Sequence, residues 1–206
     1  MHKQSISKQN LIKHSIRLSG ITPESLVDGP GLRYVIFAQG CRHGCPKCHN
    51  PTSWDINGGK EFTVKEIIRM IKKQCKARST VKQGVTQDIT QSAAKTQGLT
   101  LSGGEPFLQA GEFAQAANAA RQIGLDIVTY TGYTYEELTE LEKDDSGIAA
   151  LLRETDLLID GRYIDEKRTS SLPFRGSSNQ RIIDMPKTRE KGKITLWKNS
   201  KKKEQI

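Results

Sequence analysis

The sequence predicts an α/β domain with a largely parallel sheet. Short apolar runs of strand length alternate with segments whose apolar residues recur at helical spacing, and glycine-bearing loops follow the runs. Residues 32–38 (LRYVIFA) form the first run, rich in β-branched and aromatic residues and closed by Gly40. A helix is expected over residues 63–75, where Thr63 and Glu66 make a capping box and Val64, Ile67, Ile68, Ile71 and Cys75 share one face. Cys75 on that stripe reads as a core residue. Residues 98–102 give a second strand running into Gly103-Gly104-Glu105-Pro106. The helix after it carries Phe113, Ala116, Ala117, Ala120 and Ile123 on one stripe and ends at Gly124. Residues 125–131 (LDIVTYT) repeat the pattern, and Thr134 with Glu137 caps the next helix. Ile148, Leu151 and Leu152 mark a short helix, and residues 156–160 (DLLID) a further strand. Residues 180–184 and 193–197 are the remaining strand candidates. Loops after parallel strands gather at one end of a sheet. The segments 41–48, 102–106, 131–133 and 161–163 are therefore expected to meet there.

Length and charge narrow the class of protein. A chain of 206 residues is one ordinary domain of roughly 100 to 200 residues with modest appendages. With 35% hydrophobic and 27% charged residues and no apolar run beyond five, neither a membrane span nor a disordered chain fits. The net charge of +9 sits at the two ends: residues 187–206 carry +6 and residues 1–18 carry +4, leaving −1 on the body between them. Such a body has no basic excess to neutralise phosphates, so nucleic-acid binding is not expected. Residues 1–20 read as a polar basic leader with no secretion signal, residues 187–206 as a basic tail, and residues 76–97, poor in apolar side chains, as a surface insertion within a domain spanning 21–186. A cytoplasmic protein without membrane contact is expected.

Cys41, Cys45 and Cys48 fall within eight residues, at the C-terminal end of the first predicted strand. Soft thiolates so clustered in a reducing compartment point to a metal or iron–sulfur centre rather than to disulfides. A structural zinc ion wants four ligands, which would require His43 or the adjacent His49. A 4Fe–4S cluster on three cysteines leaves one iron open to a small chelating ligand, and an open iron is a reaction site.

The C-x3-C-x2-C loop, taken with Ser102-Gly103-Gly104-Glu105-Pro106, resembles the paired signature of the radical S-adenosylmethionine (SAM) enzymes. The wider stretch Val27-Asp28-Gly29-Pro30-Gly31-Leu32-Arg33, with Gln39-Gly40-Cys41 and Cys48-His49-Asn50-Pro51, is similar to the activating enzymes of glycyl-radical proteins. Thr131-Gly132-Tyr133, Asp160-Gly161-Arg162 and the segment Arg175-Gly176-Ser177-Ser178-Asn179-Gln180 resemble the branch that serves anaerobic ribonucleoside-triphosphate reductase. The resemblance covers residues 20 to 185.

It implies an incomplete (β/α) radical SAM barrel with a curved sheet. Cys41, Cys45 and Cys48 would bind three irons, and SAM would chelate the fourth. Gly103 and Gly104 would let backbone approach the methionine part of SAM, with Glu105 assisting, while Lys47, Cys48 and His49 would border the adenosyl part. Many relatives carry an aromatic residue where Lys47 stands, so a stem or backbone contact replaces ring stacking here. The implied reaction is reductive cleavage of SAM to a 5′-deoxyadenosyl radical, which takes a hydrogen from one glycine of the reductase large subunit. A low-potential donor such as flavodoxin would supply the electron, and no side chain is assigned as a general acid or base. The alternatives are an activase for another glycyl-radical enzyme, such as pyruvate formate-lyase, and a zinc-stabilised module that binds nucleic acid through its basic ends.

Overall fold

A computed structural model describes residues 15–77 and 96–198. The elements run β1 (Ser15–Ser25), β2 (Arg33–Ala38), β3 (Lys60–Thr63), α1 (Val64–Ala77), β4 (Gly98–Gly103), α2 (Ala110–Arg121), β5 (Asp126–Tyr130), α3 (Tyr135–Leu141), α4 (Ser146–Glu154), β6 (Leu157–Asp160), β7 (Arg181–Asp184) and α5 (Met185–Lys191). One seven-stranded sheet has the order β3-β1-β2-β4-β5-β6-β7. Its centre, β2-β4-β5-β6, is parallel, and β1, β3 and β7 join antiparallel at the flanks. The sheet is open, an α/β arrangement without a closed barrel.

Side chains alternate across this sheet as strand geometry requires. Ile36, Leu101, Ile127, Leu158 and Ile183 belong to one large core, which they share with Ile67 and Ile71 of α1, Phe113, Ala116 and Ala117 of α2, and Leu151 of α4. Cys75 packs against that core, as its place on the helical stripe predicts. Val128, Ile159 and Ile182, one residue out of step, face the other way into a small cluster with Tyr130, Leu157, Phe174 and Trp197. Thus helices pack on one face, and loops and the C-terminal segment on the other.

Local chemistry starts the helices where the sequence marks them. The Thr63 and Thr134 capping boxes both form, with Glu66 and Glu137 reaching back to the cap backbone N–H. Asp145 caps α4 by accepting from Gly147 N and Ile148 N.

Three expected boundaries shift. Residues 15–20 of the expected leader are strand, because Ile16 and Leu18 alternate with Arg17 and Ser19 and bury against the core while Arg17 Nη1 donates to the carbonyls of Asn57 and Gly58. The expected basic tail begins inside α5. It then continues through a bridge between Ile183 and Leu196 and a bond from Trp197 N to Ile182 O, because Trp197 buries against Phe174 despite the lysines around it. At the expected insertion, α1 extends to Ala77, and Gln97 N already bonds Leu32 O; residues 78–95 lie outside the described residues.

One buried charge anchors the lower end of the parallel strands. Arg33, fully buried at the start of β2, donates to Thr100 Oγ1 (3.1 Å) and to the carbonyls of Leu99 (2.8 Å), Pro30 (3.3 Å) and Asp126 (3.2 Å), and pairs with the Asp126 carboxylate. Burying a guanidinium is costly unless it is paired and fully bonded. The Asp126 side chain is half exposed, so Asp126→Ala is expected to cost about 1 to 2 kcal/mol, read as a lowered midpoint in urea unfolding. An unchanged midpoint would mean that the carbonyls alone satisfy Arg33.

Candidate functional site

The site begins at the register of β2 on β4. Ala38 lies opposite Gly103, so the cysteine loop and the Gly-Gly-Glu loop leave the sheet side by side. Only glycine suits this crossing. Gly103 has φ +94°, and a Cβ there would stand 2.6 Å from Ala38 N; a Cβ on Gly104 would stand 2.4 Å from Gly40 O. Both glycines therefore serve first to bring two backbones together, where the sequence reading gave them the approach of a ligand. Gly104 N and Glu105 N then donate to Ala38 O and Gly40 O, each at 2.8 Å.

The cysteine loop is tied at both ends. Gly40 N bonds Ser53 O, Cys41 N bonds Trp54 O, and the buried Gln39 side chain donates to Thr52 O and Asp55 O. Between these ties Cys48 N donates to Cys45 O, and Lys47 takes φ +55° to complete the turn. Cys41, Cys45 and Cys48 are free and partly exposed. Burial pushes the Cys41 and Cys45 thiols up from their ordinary range, against backbone N–H donors from His43 to Cys41 and from Tyr163 to Cys45. Among the described residues no three His, Cys, Asp or Glu side chains converge on a single-ion position. Three free thiols spread around one anchored loop are a donor set that fits a 4Fe–4S cluster, which takes one cysteine sulfur per iron.

Glu105 does different work from that expected of it. Its buried carboxylate accepts from Phe107 N (3.0 Å), Gly132 N (2.9 Å) and Thr131 Oγ1 (3.0 Å to each oxygen), and lies 2.7 Å from His43 Nε2. Three loops, those after β2, β4 and β5, are thereby fastened to one side chain, and the carboxylate faces protein partners rather than open space. His43 is held from a third side by the Tyr133 ring, edge-on at 4.6 Å. The sequence offers His43 only as a zinc ligand and brings residues 131–133 to this end of the sheet without assigning them a partner. Their partnership with Glu105 was not visible because it joins residues 26 and 62 positions apart.

An open cleft of about 750 Å³ lies beside these loops, on the sheet face opposite the helices. Cys48, His49 and Gly103 line it together with Asp28, Tyr130 and Tyr163. Lys47, Gly104 and Glu105 do not. The Lys47 ammonium is 77% exposed and turns to Asp165, 2.6 Å away, which holds the Asp165 carboxyl below its usual range. The Arg175 to Gln180 segment forms part of the cleft wall, with Arg175, Gly176 and Gln180 lining it, and is tied to the loop after β6: Gln180 accepts from Gly176 N and Ser177 N and donates to Gly161 O, and Asn179 donates to Arg162 O.

A loop-borne cysteine triad at the C-terminal end of a parallel sheet places the chain in a defined class, and a family model described as a 4Fe–4S single cluster domain matches residues 27–183. Among curated proteins, the chain is 32% identical over 166 residues to the anaerobic ribonucleoside-triphosphate reductase-activating protein of Escherichia coli K12, covering 77% of this chain and 92% of that protein. The Vibrio cholerae protein of the same name is 31% identical (78% and 92% covered), and that of Enterobacteria phage T4 is 34% identical (79% and 90%). The chain belongs to the family of anaerobic ribonucleoside-triphosphate reductase-activating proteins.

Phe107 N and Gly132 N donate to different oxygens of the Glu105 carboxylate, so an amide NH2 in its place would face one of these donors. Glu105→Gln is expected to destabilise the protein by about 2 kcal/mol and to speed hydrogen exchange at Gly132 N. Unchanged exchange there would show that Glu105 does not hold the three loops together.

Proposed function

We propose that this chain activates an anaerobic ribonucleoside-triphosphate reductase by radical SAM chemistry, and that its open sheet is the incomplete barrel of that enzyme class. The observation that carries the reading is the shared register of β2 and β4, which brings the cysteine loop and Gly103 to one cleft. Cys41, Cys45 and Cys48 would hold a 4Fe–4S cluster with one iron left for SAM, and His49 and Gly103 would border the SAM. When bound, the cluster would supply the one electron for reductive cleavage of SAM, the chemistry by which a hydrogen atom would be taken from a glycine Cα of the reductase large subunit.

The residues of this chain orient and shield; none needs to transfer a proton. Glu105 fixes the cysteine loop against β4 and β5 through His43, Thr131 and Gly132. Tyr130, whose hydroxyl is driven well above its ordinary range by burial and the nearby Asp28, stays protonated at the cleft floor. The cleft's open side admits a peptide loop while the sheet excludes water from below. A flavodoxin-like donor in the cytoplasm would reduce the cluster. Among the described residues no helix is long and apolar enough to cross a membrane.

Anaerobically reconstituted protein is expected to hold about four irons and four sulfides, to show a reduced-cluster EPR signal that changes on adding SAM, and to raise a glycyl-radical signal in purified anaerobic ribonucleoside-triphosphate reductase. Cys→Ser at position 41, 45 or 48 is expected to abolish that radical. Tightly bound zinc, or a cluster indifferent to SAM, would return the cysteines to a structural role. Radical formation in pyruvate formate-lyase but not in the reductase would move the chain to a different partner.

A further inference from the structure

The segment that follows β6 crosses to the cysteine loop at Tyr163 and Asp165. The Tyr163 ring lies 4.7 Å from the His49 ring at a tilt of 50°, and its hydroxyl donates to Asp165 Oδ1 at 2.9 Å. The other oxygen of Asp165 takes the Lys47 ammonium at 2.6 Å. The contacts thus fall on Lys47 and His49, the two residues that flank Cys48.

Two features show that this contact is built. The segment bearing Tyr163 is braced from behind: Ser177, fully buried, accepts from Ile164 N through its hydroxyl, Ser178 N bonds Lys167 O, and Gln180 and Asn179 hold Gly161 and Arg162. On the opposite side, Lys47 holds a left-handed backbone conformation, which a non-glycine residue adopts at a cost when surrounding contacts over-determine it. The Asp165 carboxylate supplies such a contact.

We infer that Tyr163 is a positioning residue for the iron–sulfur cluster, clamping the cysteine loop through His49 and, by way of Asp165, through Lys47. The inference rests on the cysteine loop holding the cluster. Groups that orient metal ligands govern how firmly the metal is held, and a loop clamped on both sides of Cys48 keeps that sulfur facing the cleft. It also gives Lys47 a function: this side chain contributes to the site from outside the cleft, as one end of the clamp, and the aromatic surface at the cleft wall comes from Tyr163 and His49.

The test uses the full chain, reconstituted anaerobically, with ferrous iron passing to a colorimetric chelator as the readout, alongside the EPR spectrum of the reduced cluster. Tyr163→Ala is expected to release iron about tenfold faster than the parent and to broaden the EPR signal. Tyr163→Phe, which keeps the ring against His49 and loses only the hydroxyl, is expected to restore the signal and to release iron at the rate of Lys47→Ala and Asp165→Ala. The Lys47→Ala, Asp165→Ala double variant is expected to be no faster than either single one, since both cut the same tie. Release from Tyr163→Ala within about twofold of the parent would overturn the inference. If Tyr163→Ala fails to fold by circular dichroism, the surface variants decide, and parental release from both would overturn it equally. A parent chain that takes up no cluster at all would instead refute the reading of the cysteine loop.

Discussion

A carboxylate removed from water must be met by donors, and at Glu105 this requirement organises the working end of the sheet. The partners come from the loops after three neighbouring strands, β2, β4 and β5, so the loops cannot drift apart without stranding the charge. Gly132 shows how tight the arrangement is, since a Cβ there would fall 2.4 Å from the His43 ring. The cysteine loop has few apolar side chains to hold it and owes its place to this polar junction. Such networks specify one arrangement when every member is satisfied, and they are costly when one is lost.

Much of the architecture could be read from the chain because local signals and burial agree there. The four central strands, the α1 stripe and both capping boxes follow from periodicity and from side-chain chemistry within a few residues. Strands β1 and β3, which the sequence does not mark, are polar on one side and sit at or next to the sheet edge, where the scattered Ile16, Leu18, Ile21 and Phe62 are the apolar signal. Of the C-terminal segment, residues 193–197 are legible as a strand candidate and reduce to a bridge at Leu196, while the lysines around them give the surrounding stretch the look of a tail. Within the site, the spacing of the cysteines and the glycine pair were explicit. The roles of Glu105, His43 and Tyr163 were not, because each is defined by a partner on another strand's loop.

The two faces of the sheet divide the labour. Helices α1, α2 and α4 cover one with a continuous apolar core, while the other carries the small Val128, Ile159 and Ile182 cluster beside a bonded polar layer of Arg33, Thr100 and Asp28. A sheet face that no helix among the described residues covers can hold a small molecule and still open sideways. Stability and access are therefore drawn from opposite sides of the same strands, and Arg33 belongs to the boundary between them.

The end of the chain bears on how such a molecule avoids unwanted company. Asp184 N bonds Thr195 O and Trp197 N bonds Ile182 O, so the outer rim of β7 is already occupied by the protein's own backbone. At the far rim β3 is four residues long and begins with Lys60 and Glu61, features that discourage strand-to-strand growth. Among the described residues, both borders of the sheet thus carry features that discourage a foreign strand, while the cleft beside the loops stays open.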